Sequence, residues 1–143
     1  DLYKDPDNKF VAGFIGSPAM NLLPGEIVET GTQPKIKMAT GYVVTSNVPT
    51  QDSDKGLSVN VGVRPEDMTV TTGDDAVYEG VVDFTEALGE VTILYFHSEG
   101  GANPVLAKMP GIHQGLRGKT VKVTAVPEKV QIFANGQSLH YRE

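Results

Sequence analysis

The 143-residue sequence contains no cysteine and no tryptophan, and it is short of basic residues, with 12 Lys and Arg against 18 Asp and Glu. Without a thiol there is no disulfide, no thiolate nucleophile and no cysteine-ligated zinc. A net charge of −6 argues against general affinity for nucleic acid, which depends on Lys and Arg neutralising phosphates. Long apolar runs are missing too. The stretch Phe10 to Ile15 is far below the roughly 20 residues a membrane-spanning helix requires. No basic segment followed by an apolar core precedes it, so no signal peptide is expected.

Motifs for catalysis are equally scarce. His97, His113 and His140 lack any metal-ligand spacing, and no serine stands in a G-x-S-x-G elbow. Asp74-Asp75 after Gly73 reads as a turn, because no further oxygen ligands follow at calcium-loop spacing. One stretch imitates a nucleotide site: Gln114 to Thr120, QGLRGKT, ends like a phosphate loop. That loop needs a glycine five residues before the glycine of its GK pair, and the position is His113. A phosphate loop also opens a helix, whereas Thr120 to Val126 alternates apolar and polar at strand period. The segment reads as a basic, glycine-bounded turn entering a strand.

What the sequence does contain is many short alternating segments, punctuated by 16 glycines and 9 prolines. Strands are expected at Gly25–Thr30, Ile36–Met38, Gly41–Thr45, Leu57–Val63, Val77–Ala87, Glu90–His97, Val105–Met109, Thr120–Val126 and Val130–Phe133. The longest hairpin turns at Leu88-Gly89-Glu90. Val82, Phe84 and Leu88 are expected on one side of its first arm, with Val91, Ile93 and Tyr95 on the second. At the N-terminus, Asp5 suits an N-cap and Pro6 a first helical position. Phe10, Val11, Phe14 and Ile15 follow at helical spacing, and Gly16-Ser17-Pro18 ends the helix. The composite is mainly β: an antiparallel barrel, or two small intertwined lobes, with one short N-terminal helix.

Charge is unevenly spread. Residues 52–90 hold ten acidic and two basic side chains, whereas 101–143 hold six basic and two acidic. Gly62-Val63-Arg64-Pro65-Glu66-Asp67 puts Arg64 and Glu66 around a proline at a strand end. Two readings stand side by side: a local salt bridge, and an interface clamp that presents both charges to a partner.

Four stretches together resemble a known family. Asp1 to Asn21 (DLYKDPDNKFVAGFIGSPAMN), GVRPEDM at 62–68, GVVDFTEALGEVTILYF at 80–96 and VTAVPEKVQIF at 123–133 are similar, in that order, to ATP-binding subunits of carbohydrate ABC importers. The likeness is to the maltose/maltodextrin and glycerol-3-phosphate type, from the end of the ATPase core through the C-terminal regulatory domain. The resemblance implies an OB-fold-like domain of the transport-associated (TOBE) type at 20–143, preceded by a linker helix at 1–19. It places Asp1 at a boundary inside a longer polypeptide, whose upstream ATPase uses ATP and Mg. This stretch itself would hold no catalytic residue, cofactor or metal. It further implies a homodimer, permease subunits reached through the ATPase core, a possible regulatory protein as partner, and a place on the inner face of the plasma membrane. The interface and regulatory candidates are Arg64, Glu66, Phe10, Phe14 and Asn21. A second function, sensing an oxyanion or small solute, would use a backbone nest at Gly115, Arg117, Gly118 and Lys119. A third, single-strand binding on an OB face, needs stacking aromatics on a basic surface and is disfavoured by the acidic balance.

Overall fold

Eleven strands form among the residues that the computed structural model describes, 20–100 and 103–139, several of them alternating buried and less buried side chains. The helix expected over the first nineteen residues, with Phe10 and Phe14, lies outside the described residues. The strands are β1 (Asn21–Glu29), β2 (Lys35–Met38), β3 (Val43–Thr45), β4 (Ser58–Val63), β5 (Thr69–Val70), β6 (Tyr78–Ala87), β7 (Val91–Phe96), β8 (Leu106–Pro110), β9 (Thr120–Thr124), β10 (Gln131–Ala134) and β11 (Gln137–Ser138). Short 3-10 turns at Asp52–Asp54, Pro65–Asp67 and Pro127–Lys129 link some of them. The mainly β, OB-type class expected from the sequence is the observed one.

Two antiparallel sheets result. One has the order β11-β10-β4-β1-β2-β3, the other β5-β9-β6-β7-β8. The chain completes most of the first, builds the second, then returns with β10 to pair with β4. The sheets are therefore interleaved in sequence. One buried cluster joins them, with Ile27, Ile36, Val61 and Ile132 from the first sheet and Val82, Leu94, Phe96 and Val123 from the second, each at most 1% exposed. Polar ties cross between elements as well. The Ser46 hydroxyl donates to the Val130 carbonyl (2.6 Å), and the Lys122 ammonium lies 4.9 Å from the Tyr42 ring centre.

Local irregularities follow from residue type. Pro24 sits inside β1 at a point where only β4 is paired, opposite Asn60, and pairing with β2 begins at Gly25. A proline is tolerated there because no ladder bond needs its missing N–H. The β10–β11 hairpin turns on Asn135 (φ 53°) and Gly136 (φ 81°), the two-residue turn whose left-handed positions favour Asn-Gly. Replacing Gly136 by alanine is expected to cost about 1 kcal/mol and to lower the melting temperature by roughly 3 °C. Calorimetry showing no shift would mean that the turn does not hold this conformation.

The long hairpin corrects one expectation. Its register shifts between Val82, paired with Phe96, and Phe84, paired with Tyr95. That bulge at Asp83 sends the two apolar side chains to opposite faces. Val82 is fully buried, while Phe84 is 50% exposed and stacks on Tyr95, with ring centres 4.2 Å apart.

Candidate functional site

β4 buries Val59, Val61 and Val63 and ends at Val63; two residues on, Pro65 fixes the backbone and opens the 3-10 turn. The turn closes through the Asp67 N–H donating to the Arg64 carbonyl (2.9 Å) and the Met68 N–H donating to that of Pro65 (3.3 Å). Pro65 and Met68 are buried. Arg64 and Glu66 are both exposed, and no ion pair joins them among the described residues. Of the two readings of this motif, the local salt bridge is not formed.

Asn21 belongs to the same corner of the molecule. It lies across from Val63 in the β1–β4 ladder and is 8% exposed. Its side-chain amide donates to the Leu106 carbonyl (2.8 Å) and accepts from the Leu106 N–H (3.0 Å). The amide thus satisfies both backbone groups of one residue on β8, the edge strand of the second sheet, 85 positions away. Asn21, Arg64 and Glu66 therefore come together where the first sheet meets β8.

Gly115, Arg117, Gly118 and Lys119 are exposed on a separate turn before β9. Gly115 (φ 75°) and Gly118 (φ 82°) take left-handed backbone. However, the Gly118 N–H donates to the Val82 carbonyl (2.8 Å) and that of Lys119 to the Leu116 carbonyl (2.9 Å). Two donors of the proposed nest are thus spent on tying the turn to β6 and on closing it. A strand follows, not a helix.

The remaining polar chemistry is sparse. Among the described residues no three acidic or histidine side chains gather as a metal site. His97 Nδ1 lies 3.4 Å from Asp83, with both side chains about half exposed. One ring nitrogen of His113, Nε2, lies 2.8 Å from the Pro110 carbonyl. The Tyr95 hydroxyl donates to Glu86 (2.8 Å), which holds its pKa above the usual tyrosine value, helped by desolvation and the Glu86 charge. Burial alone raises that of Tyr78. No described helix is long and apolar enough to cross a membrane.

Residues 16–68 match the family described as "MalK OB fold domain", and residues 61–133 match the "TOBE domain" family. The chain is 50% identical over 139 residues to the alpha-glucoside transport ATP-binding protein AglK of Rhizobium meliloti, covering 96% of this chain and 38% of that protein. It is 36% identical over 111 residues to the maltose/maltodextrin import ATP-binding protein MalK of Vibrio vulnificus, covering 77% and 30%. It is 35% identical over 128 residues to the lactose transport ATP-binding protein LacK of Rhizobium radiobacter, covering 85% and 34%. The chain thus spans about a third of the length of these relatives. Among solved structures, the molybdate-binding protein ModG superposes with a TM-score of 0.60 at 12% identity, over 80% of this chain and 95% of that one, a likeness of fold alone.

Proposed function

Since this chain belongs to the TOBE domain family and is similar along most of its length to ATP-binding subunits of sugar importers, we propose that it is the C-terminal regulatory and dimerisation domain of such a subunit. The parent polypeptide couples ATP hydrolysis, with Mg, to uptake of a sugar through permease subunits at the inner face of the plasma membrane. This domain holds no nucleotide. Its work is to pair with a second copy and to receive regulatory proteins, Arg64 and Glu66 being presented by the buried Pro65. The observation that carries the reading is the 50% identity to AglK over 96% of the chain, a match that takes in both sheets and the Pro65 turn.

The committed N–H groups of Gly118 and Lys119 favour this reading over the sensing of an oxyanion. Isothermal titration of the chain with Mg-ATP, molybdate, phosphate and maltose is expected to give no heat of binding. Saturable binding of molybdate or phosphate would transfer the function to oxyanion sensing, and binding of Mg-ATP would overturn the reading.

A further inference from the structure

An antiparallel sheet with one wet face alternates apolar and polar residues along each strand. β7 does not. Thr92, Leu94 and Phe96 face the core, while Val91, Ile93 and Tyr95 on the other side are only partly covered. The ladders extend this second face across three strands. Phe84, Tyr95 and Leu106 form one cross-strand row, and Glu86, Ile93 and Lys108 form the next. Directly opposed residues in a ladder point to the same side, so the rows share a face. Phe84 and Leu88 at its rim are about half exposed. Lys108 has no ion-pair partner among the described residues.

We propose that this outer face of β6, β7 and β8 is the surface on which two copies of the chain meet, about a two-fold axis running along β7. The inference rests on the pairing proposed above and names its surface. Rotation by 180° about that axis exchanges the flanks, so that β6 of one copy lies over β8 of the other. Phe84 then covers the partner's Leu106, and Tyr95 covers its own equivalent. Glu86 meets the partner's Lys108, twice over. A surface that pairs with itself must carry complementary groups at positions the axis exchanges. Opposite charges on the two flanks of a neutral apolar centre meet that condition, where like charges would repel. Sheets packed face to face lie about 10 Å apart, a gap that glutamate and lysine side chains span from both sides. Three short strands offer less than the roughly 800 Å² per partner of a standard stable interface. The isolated chain therefore pairs weakly.

Sedimentation equilibrium of the Glu86→Lys and Lys108→Glu variants, singly and combined, tests the geometry. Each single change sets two like-charge pairs across the axis and is expected to weaken dimerisation at least tenfold. The double exchange restores it to within about threefold of the wild type, since the pairs re-form with reversed sign. Phe84→Gln, at a half-exposed position, weakens it without touching charge. Wild type and all variants dimerising equally would overturn this surface and leave the pairing itself standing. A wild type that stays monomeric to about 1 mM would overturn both.

Discussion

Replacing Asn21 by leucine is expected to reduce the unfolding free energy by about 2–4 kcal/mol, because it removes two hydrogen bonds and strands the N–H and C=O of Leu106 against an apolar side chain. Leucine keeps the number and branching of the side-chain heavy atoms and is the larger residue, so the loss does not come from a cavity. Asn21→Asp separates the two bonds. A carboxylate still accepts from the Leu106 N–H but faces the Leu106 carbonyl, where the native amide donates. The folded state then disfavours the charged form, which raises the folded pKa of the new Asp above its unfolded value of about 3.9. The variant's deficit relative to wild type is therefore smallest below the unfolded pKa. It grows as pH rises through the folded one. Urea denaturation of both variants between pH 3.5 and 7 measures this. Wild-type stability in both would mean that Asn21 does not bridge the sheets.

A larger loss is expected at Phe96. Its ring is 1% exposed and meets Tyr78 edge-on, with centres 5.2 Å apart. Truncation to alanine removes that contact and leaves a cavity between the sheets, at a cost of about 3–5 kcal/mol and roughly 10 °C or more in melting temperature. Phe84→Ala is the matched control. At 50% exposure it is expected to cost well under the Phe96 value, about 1 kcal/mol or less. Equal losses at the two positions would mean that the bulge at Asp83 is absent and that Phe84 joins the core.

The contrast between these phenylalanines marks where the fold was legible. Alternation alone located each of the longer strands, since burial of every second residue is written directly into segments such as Thr120–Thr124 and Lys35–Met38. A bulge adds one residue without changing the apolar pattern, so Val82 and Phe84 read as neighbours on one face although they are not. Pro24 hid the first four residues of β1, because its harmlessness depends on which neighbour pairs there. β5 is two residues long and has no period to detect. β11 was within reach: Asn135-Gly136 is a strong local hairpin signal that the strand pattern did not use.

The site was legible in a different way. Arg64, Pro65 and Glu66 stand out as a proline flanked by opposite charges, and the structure leaves both charges exposed on either side of a buried proline. Asn21 was singled out only through resemblance, and its tie to Leu106 spans too much sequence for any local pattern to reveal. The turn at 115–119 looked like an anion nest because left-handed glycines and basic residues coincide. Where its N–H groups point is a tertiary fact, decided by the Val82 carbonyl on β6. The outer face of β7 was visible as an unusually apolar strand, VTILYF, yet the flanking Glu86 and Lys108 become one feature only through the ladder registers.

Sedimentation equilibrium of the wild-type chain from about 1 µM to about 1 mM tests most directly whether this domain is a pairing module. For a pairing module the apparent mass climbs from 15.3 kDa toward twice that value as concentration rises, and falls again when salt screens the charges at the contact. A single 15.3 kDa species across the whole range would contradict it.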